Sequence, residues 1–346
     1  MEEEAKVGDL ELENTSEDTE NEMYEHYRFV VDKGQGLLRI DKFLFSRIEN
    51  ASRNKIQAAA KAECVLVNGA PVKPSYKVKP LDVVTILMPQ PPRDTEVIPQ
   101  NIPLNIAYED DDVIIVNKPA GMVVHPSYAN YDGTLVNALT YYFNQKNKGD
   151  IPALVHRIDK DTSGLLLVAK NEVAQTFLAK QFYDHTVERR YHALVWGDFD
   201  NDAGTITGNL GRHPKDRRIV TVYPDGSQGR NAITHYKVLE RFGYVTLVEC
   251  KLETGRTHQI RAHFQYIKHP LFGDKTYGGD IIVKGTTFSK YKAFVDNCFN
   301  ILPRQALHAK TIGFVHPSTK QFMQFDSELP EDMNKVLEKW RRYSNS

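Results

Sequence analysis

Residues 154–170 read Leu-Val-His-Arg-Ile-Asp-Lys-Asp-Thr-Ser-Gly-Leu-Leu-Leu-Val-Ala-Lys. The polar first half runs directly into an apolar second half, which is the pattern of a loop that leads into a buried strand. Residues 161–164, Asp-Thr-Ser-Gly, have turn chemistry, because short polar side chains bond nearby backbone and glycine is free in φ. This stretch therefore predicts a strand with an ordered polar loop at its mouth, a common location for functional side chains.

The loop contains two carboxylates, Asp159 and Asp161, and either is a candidate nucleophile or base. A second interpretation is that both carboxylates cap a turn and pair with Arg157 and Lys160. The residues of the loop by themselves favour the second interpretation.

A second polar cluster covers residues 252–263, Leu-Glu-Thr-Gly-Arg-Thr-His-Gln-Ile-Arg-Ala-His. A strand is predicted to end at Thr-Gly, where a helix begins. On that helix His258, Arg261 and Gln265 share one face at i, i+3 and i+7. The apolar residues lie on another face, toward the core: Ile260, Phe264 and Ile267. We expect a rigid helix to hold Arg261 near the strand ends, with a solvated basic helix face as the alternative.

A third cluster, residues 189–197, reads Arg-Arg-Tyr-His-Ala-Leu-Val-Trp-Gly. Alternation along a strand puts Tyr191, Ala193 and Val195 on one face. A tyrosine on such a face either belongs to the core or offers an aromatic surface to a ligand. The cluster alone favours the core.

The chain from Leu104 onward predicts one α+β domain, residues 104–346. Strands are predicted over residues 113–118, 164–170, 190–197, 233–240 and 244–252. Helices are predicted over residues 134–143, 171–184, 256–267 and 331–343. Because strands and helices do not alternate regularly, we expect a mixed, largely antiparallel sheet with flanking helices.

The charge of the chain is unevenly distributed. The net charge is −1, but residues 1–25 contain eleven Asp/Glu and one Lys, so the remainder is basic. We expect residues 1–25 to form a disordered acidic tail. A basic body indicates a polyanionic partner, although a solvated surface of mixed charge explains the counts equally well.

Residues 26–88 predict a small α/β domain. Helices over residues 38–48 and 53–62 precede a strand at 64–69 and a closing strand at 83–88. The exposed helix positions of this domain are basic: Arg39, Lys42, Arg53, Lys55 and Lys61. We expect these side chains to contact the phosphates of a nucleic acid.

The length of 346 residues suggests about two domains. The stretch 89–103 contains five prolines and predicts a stiff linker between the two domains.

No run of about 18 apolar residues occurs, so we expect no membrane span. The acidic N-terminus also lacks the pattern of a signal peptide. Three distant cysteines, Cys64, Cys250 and Cys298, fit a reducing cytoplasm without disulfides or a cysteine zinc site.

Several catalytic and cofactor motifs are absent from the sequence. There is no phosphate-binding GxxxxGK[ST] loop, no GxGxxG after a strand and no GxSxG elbow, so nucleotide-cofactor chemistry and serine hydrolysis have no support. His258 and His263 are five residues apart, which does not align two imidazoles for zinc, and each is expected at the surface or against RNA. We therefore expect neither a metal nor a cofactor.

The N-terminal segments resemble the small RNA-binding domain of ribosomal protein S-four. The resemblance covers roughly residues 37–85 and is carried by residues 38–44, 52–53 and 65–69. It implies that this domain binds RNA.

The chain from about residue 37 to 330 resembles the RluA/RluD-type RNA pseudouridine synthases, which act mostly on large-subunit ribosomal RNA. The matching segments, in order, are residues 117–126, 156–166, 190–191, 254–261, 269–274 and 304–309. Ile158 stands where the family usually has leucine, and residues 280–303 match less well, which leaves local specificity open.

The resemblance implies a role for three residues: Asp159 as the catalytic aspartate, Tyr191 as the residue that stacks on the target uracil, and Arg261 as the partner of the aspartate. Further polar residues of the same motifs are expected to bind substrate: His156, Arg157, Thr162, Arg256 and His258. The implied enzyme is an isomerase without cofactor, with RNA as its partner in the cytoplasm.

Pseudouridylation breaks the nitrogen–carbon bond between uracil and ribose, rotates the base and reattaches it through carbon. One carboxylate suffices, either as a nucleophile at the sugar carbon or as a base that removes a ribose proton. Two alternatives remain at this point. A ribosome-assembly factor without catalysis would explain the basic domain, and a methyltransferase would need a glycine-rich loop after its first strand, which is missing.

Overall fold

The computed structural model describes residues 24–48, 52–88, 97–126, 130–146, 152–216 and 219–345. The chain divides into two units, residues 1–96 and 97–346. Most of the predicted acidic tail, residues 89–96 of the predicted linker and the side chain of Lys55 lie outside the described residues.

The smaller unit combines two short helices with antiparallel strands. Its elements are β1 (Tyr24–Val30), β2 (Leu38–Arg39), α1 (Ile40–Phe45), α2 (Arg53–Lys61), β3 (Val65–Val67), β4 (Ala70–Pro71), β5 (Lys77–Val78) and β6 (Val83–Met88). The sheet order is β1-β6-β3-β4, and β2 pairs with β5. Apolar residues of both helices and of the sheet share one core, which includes Ile40, Phe43, Ile56, Val65 and Val84.

The first helix is shorter than the predicted 38–48. Leu38 and Arg39 pair with Val78 and Lys77 in a two-stranded ladder, so the helix begins only at Ile40. Arg39 therefore lies on a strand and not on a helix. The second helix and the closing strand agree with the prediction.

The larger unit contains one extended sheet. Its first half consists of β7 (Ile106–Glu109), β8 (Val113–Lys118), α3 (Leu135–Lys146), β9 (Ala153–Leu154), β10 (Ser163–Ala169), α4 (Glu172–Tyr183), β11 (Glu188–Trp196) and β12 (Ala203–Arg212). Its second half consists of β13 (Val220–Tyr223), β14 (Arg230–Arg241), β15 (Val245–Leu252), α5 (Gln259–Tyr266), α6 (Ser289–Ile301), β16 (Leu307–Val315), β17 (Phe322–Asp326) and α7 (Glu331–Ser344).

The sheet order is β13-β12-β14-β15-β11-β16-β10-β8-β7, with β17 also paired to β16 and β9 to β10. Every ladder among these described strands is antiparallel except that between β10 and β16. The predicted mixed, largely antiparallel α+β fold is confirmed.

The single parallel ladder brings three strands together at the start of β10. Ala309 on β16 pairs with Gly164 on one side and with Tyr191 of β11 on the other. Gly164 has φ +112°, and a Cβ there would lie 2.3 Å from the carbonyl oxygen of Ala309. Only glycine fits this approach. Tyr191 consequently lies two strands away from the polar loop that precedes β10.

Both faces of the central strands are covered. Ile114, Val116, Leu166 and Val168 pack with residues of α3 and α5 on one face. The alternate residues of the same two strands pack with α4 on the other face. This two-sided burial explains why residues 113–118 and 164–170 read as continuous apolar runs.

Seven elements of the larger unit were not predicted: β7, β9, β12, β13, β16, β17 and α6. Helix α6 lies inside the poorly matching residues 280–303, and its apolar stripe is Tyr291, Val295 and Cys298. The strand β17 alternates weakly and is half exposed, so its sequence carries little periodic signal.

Residues 97–103 of the predicted linker are attached to the larger unit. The Asn137 side-chain amide donates to the carbonyl of Ile98 at 2.8 Å, and the Gln100 amide donates to the carbonyl of Asn137 at 3.0 Å. Within the described part of the chain, no helix is long and apolar enough to cross a membrane, and no group of three or more His, Cys, Asp or Glu is arranged to hold a metal ion.

Candidate active site

The loop between β9 and β10 carries Asp159 and is held from several directions. The Asp159 carbonyl accepts a hydrogen bond from the Thr162 amide at 3.1 Å, which closes the predicted turn. The carbonyl of Lys160 accepts from Lys118 Nζ at 2.9 Å and from the Gly121 amide at 2.9 Å. Because the carbonyls of Asp159 and Lys160 are both hydrogen-bonded, the backbone that carries the Asp159 carboxylate is fixed by the fold.

The Asp159 carboxylate pairs with Arg261 of α5. Nη1 of Arg261 donates to Oδ2 of Asp159 at 3.1 Å, and the Asp159 side chain is 22% exposed. Among the described residues, Arg261 is its ion-pair partner, the ring of His258 lies 3.9 Å away, and neither Arg157 nor Lys160 pairs with it. The pair joins two segments that are 102 residues apart in the sequence.

Asp274 binds the other side of the same guanidinium. Nε and Nη2 of Arg261 donate to its two carboxylate oxygens at 2.7 and 2.9 Å, and Asp274 is fully buried. Burial opposes the charge of Arg261, but the hydrogen bonds and charge of Asp274 and the charge of Asp159 outweigh it and raise the pKa of Arg261 above its ordinary value. Sequence reasoning assigned Asp274 no role. The need of a buried arginine for a second carboxylate is the signal that points to it.

A cavity of about 60 Å³, here called the small cavity, lies at this pair. Asp159, Thr162, Tyr191, His258 and Arg261 are among the residues that line it, and Asp159 is the single carboxylate in that lining. Asp161, the other candidate, is not part of the lining, and its carbonyl accepts a hydrogen bond from Arg304. The structure therefore brings together the three residues predicted to act, and separates Asp159 from Asp161.

Tyr191 and Thr162 are both largely enclosed. Tyr191 is 8% exposed and belongs to the core cluster as well as to the cavity wall, and burial raises the pKa of its hydroxyl. Thr162 is 1% exposed, and its hydroxyl oxygen accepts from the Gln305 amide at 3.4 Å.

A larger cavity of about 710 Å³, here called the large cavity, shares Arg157, Asp159, Tyr191 and Arg256 with the small one. His156 lines it, but Nε2 of His156 already accepts the Leu167 amide at 2.9 Å. Burial and the charge of Arg189 lower the pKa of His156 to about 3, so this imidazole is neutral. Arg157 is exposed and lines both cavities.

His258 does not lie on the helix, contrary to the predicted start at residue 256. Helix α5 begins at Gln259, and His258 precedes it with φ +53°. Nε2 of His258 is 3.9 Å from Oδ2 of Asp159, and Nδ1 is 3.0 Å from the hydroxyl of Tyr277. Burial lowers the pKa of His258. The expected alignment of His258 and Arg261 on one helical face is wrong, yet the left-handed residue still turns its ring toward Asp159.

The prediction that His263 lies at the surface is wrong, because His263 is fully buried. Its Nδ1 is 2.9 Å from the hydroxyl of Thr234, and burial lowers the pKa of its ring to about 4. His263 therefore acts in the packing of α5 against the sheet.

The basic residues of the smaller unit fall into two groups. Arg39 and Arg53 both bind the buried Asp41, with shortest nitrogen–oxygen distances of 2.9 and 3.1 Å. Burial opposes the charge of Asp41, but the Arg39, Gln57 and Arg53 hydrogen bonds prevail and lower its pKa well below the ordinary value. Lys42 and Lys61 are exposed and have no ion pair with any described residue.

A groove of about 660 Å³ in the smaller unit is lined by Arg39, Lys61 and Lys73, among others. Lys73 was not predicted, because it lies in a turn outside the helical pattern. The groove collects three cations from segments that are separate in the sequence.

Comparison with known proteins identifies the family. The family profile described as RNA pseudouridylate synthase matches residues 112–266, and the profile of the S4 domain matches residues 38–84. A protein of Bacillus subtilis named uncharacterized RNA pseudouridine synthase YlyB is 47% identical over 307 residues, covering 88% of this chain and 94% of that protein. The chain belongs to the RNA pseudouridine synthase family. It is an isomerase that acts on RNA.

Other relatives of the synthase have more specific names. The Zymomonas mobilis protein named ribosomal large subunit pseudouridine synthase D is 43% identical over 301 residues, covering 85% of the synthase and 91% of that protein. The solved structure of human RNA pseudouridylate synthase domain containing 4 has a TM-score of 0.52 at 22% identity, covering 68% of the synthase and 93% of that chain. The last comparison supports the fold.

Proposed function

We propose that the synthase converts uridines of large-subunit ribosomal RNA to pseudouridine, with Asp159 as the acting carboxylate. The observation that carries this proposal is that Asp159 lines the small cavity together with Tyr191 and with Arg261, whose Nη1 is 3.1 Å from the Asp159 carboxylate. The ribosomal substrate is supported by the 43% identical relative whose name includes the large ribosomal subunit. Ribosomal RNA as substrate, together with the distant cysteines, favours the cytoplasm.

The reaction requires one group at the sugar and a place for the detached base. The bond from N1 of uracil to C1′ breaks, a bond from C5 to C1′ forms, the C5 proton leaves and N1 gains one. Asp159 acts either as the nucleophile at C1′ or as the base that removes a ribose proton. Arg261 supplies positive charge through planar donors that match a carboxylate.

The target base must leave its stack to reach a carboxylate within a cavity. Tyr191 lines that cavity, and an aromatic face offsets part of the lost stacking. We assign the substrate contacts to the other predicted residues: Arg157, Thr162, Arg256 and His258, which line the small cavity, and His156, which lines the large cavity.

The smaller unit supplies affinity for RNA in this proposal. Its exposed cations contact phosphates, which gives salt-dependent and weakly selective binding. The assigned residues are Arg39, Lys42, Arg53, Lys55 and Lys61. The proposed division of the chain is a tail at 1–25, an RNA-binding domain at 26–88, a linker at 89–103 and a catalytic domain at 104–346. Residues 24–25 already belong to β1, and residues 97–103 are attached to the larger unit.

A carbodiimide-based map of pseudouridine in ribosomal RNA, from cells with and without the synthase, tests the substrate. We expect one or more large-subunit positions to lose modification in the deleted strain. Identical maps would overturn the ribosomal assignment.

Asp159→Asn tests the acting residue, with Asp161→Asn as its matched control. Complementation with Asp159→Asn should leave the mapped positions unmodified, while the purified variant still binds RNA. Asp161→Asn removes the same charge two residues away, outside the small cavity, and should retain turnover. Activity of Asp159→Asn equal to that of Asp161→Asn would refute the assignment.

A further inference from the structure

The wall of the large cavity is strongly basic. Four arginines line it, Arg157, Arg189, Arg230 and Arg256, and Asp159 is the single acidic side chain in its lining. Since Arg261 already pairs with Asp159, the cavity offers more positive charge than the protein itself neutralises.

Arg189 differs from the other buried arginines of this unit. It is 7% exposed, its Nε is enclosed without a hydrogen-bond partner, and no described residue accepts a hydrogen bond from it or pairs with it. Arg261 and Arg304 are buried to a similar degree, but each binds a carboxylate through two nitrogens. Burying an unpaired charge is costly, so a buried guanidinium without an acceptor indicates a missing anion.

The surroundings of Arg189 make room for its charge without neutralising it. Its Cζ lies 5.5 Å from the centre of the Phe182 ring. A Cβ on residue 255 would lie 2.5 Å from Nη1 of Arg189, so Gly255 is the residue that admits the guanidinium. The neighbouring His156 is neutral. The site is therefore built around a cation that remains available to a ligand.

Strand geometry relates this cation to Tyr191. Arg189 and Tyr191 lie on the same buried face of β11, two residues apart. Two residues of a strand span about 7 Å, which is the scale of one nucleotide along an extended RNA strand. A guanidinium is also the side chain best suited to a phosphate, because its planar donors bind two oxygens at once.

We propose that Arg189 binds a backbone phosphate of the RNA strand, at a nucleotide adjacent to the target uridine. The proposal rests on the proposed function, in which the target base lies against Tyr191. The phosphate supplies the acceptor that the protein lacks, and its capture holds the strand while the base enters the small cavity.

Arg189→Met tests the site on ribosomal RNA from the deleted strain. We expect KM to rise about tenfold, as for the loss of one charge-assisted contact, with kcat within about threefold. The slope of log affinity against log salt concentration should become shallower by about 0.7 to 0.9, the value expected for the loss of one phosphate contact. The Tm should not fall, because the variant removes an unpaired buried charge. Arg189→Lys keeps the positive charge but loses the planar pair of donors, so its KM should lie between those of the parent and Arg189→Met.

Arg190→Met is the matched control. Arg190 is the next residue on β11, is half-exposed and pairs with Glu249 at 3.2 Å, so the variant removes one positive charge from the opposite face. Its KM should stay within about twofold of the parent. An equal rise of KM in both variants would mean that the loss of net positive charge explains the effect, and it would overturn the proposed phosphate site at Arg189. A fall of Tm in Arg189→Met with unchanged KM would make Arg189 a structural residue.

The phosphate itself is identified with RNA oligonucleotides that span a mapped uridine and carry one neutral methylphosphonate. In the parent, the substitution next to the target should weaken binding about as much as Arg189→Met does. In Arg189→Met the same substitution should have little further effect, since the contact is already lost. Additive penalties at every phosphate would overturn the proposal. If inorganic phosphate raises the Tm of the parent but the methylphosphonates have no effect on binding, the ligand of Arg189 is a free anion and the proposal of an RNA phosphate is overturned. A parent that modifies none of the RNAs would instead contradict the proposed function.

Discussion

Nη1 of Arg261 lies 3.1 Å from Oδ2 of Asp159, while the remaining donors of that guanidinium bind Asp274. Asp274 is fully buried and has no exposure to water, whereas Asp159 retains access to the cavity. Arg261 is therefore held rigidly from one side and donates from its remaining edge to the carboxylate of Asp159. The orientation of the pair depends on a buried residue that is not part of the lining of the small cavity.

Arg261→Ala should destabilise the protein mainly through Asp274. Removing one partner of a buried ion pair leaves an uncompensated charge, which costs about 3–5 kcal/mol. Urea denaturation should show this loss in the free energy of unfolding, and turnover should be abolished. In Arg261→Ala/Asp274→Ala the loss should be smaller than the sum of the single variants by about 1 kcal/mol or more. Strict additivity would mean that the two residues do not act as a pair.

Tyr191 should contribute to RNA binding through its ring and not through its hydroxyl. Tyr191→Ala should weaken binding of RNA by about 1–3 kcal/mol, the value of one stacked base. Tyr191→Phe keeps the ring and should bind within about twofold of the parent. Fluorescence titration measures both, with Tm as the control, because Tyr191 also belongs to the core. Equal losses in the two variants would exclude stacking.

Lys42 and Lys61 should supply salt-dependent affinity at little cost in stability. Both are exposed without an ion pair among the described residues, while Arg39 and Arg53 also hold the buried Asp41. Lys42→Ala and Lys61→Ala should each reduce the slope of log affinity against log salt by about 0.7 to 0.9. Lys33→Ala, an exposed lysine of the same unit, is the control for charge. An identical slope in the Lys42, Lys61 and Lys33 variants would show that Lys42 and Lys61 do not contact RNA specifically.

Lys118 should make stability depend on pH. It is fully buried, and burial lowers its pKa to about 7. Below pH 7 the folded and unfolded forms both carry the proton. Between about pH 7 and lysine's ordinary pKa near 10.5 only the unfolded chain binds it, so the free energy of unfolding rises with pH.

Denaturation of the parent and of Lys118→Met from pH 6 to 10 measures this contribution as a difference. The parent should gain stability relative to the variant across the window, by a few kcal/mol at most, since one pKa unit corresponds to about 1.4 kcal/mol. A gain toward low pH would instead mean that the three carbonyls around Nζ, those of Pro119, Met122 and Lys160, hold the proton.

The sequence alone was sufficient for the elements with strong periodicity. The apolar runs at 113–118 and 164–170 are strands and residues 331–343 form a helix, as the sequence predicts. The polar loop before β10 and the sheet class also followed from the sequence. Local periodicity suffices for these features, because side-chain direction repeats with the backbone geometry of a strand or a helix.

Only the tertiary structure decided which of the two loop carboxylates lines the cavity, and which cation remains without a partner. Asp159 and Arg261 are 102 residues apart, and their contact requires the sheet to bring the mouth of β10 beside α5. The pairing of Arg261 with Asp274 and the isolation of Arg189 are likewise properties of packing. Charge pairing depends on which distant segments come into contact and on how much water they exclude. The spacing of residues along the chain determines neither.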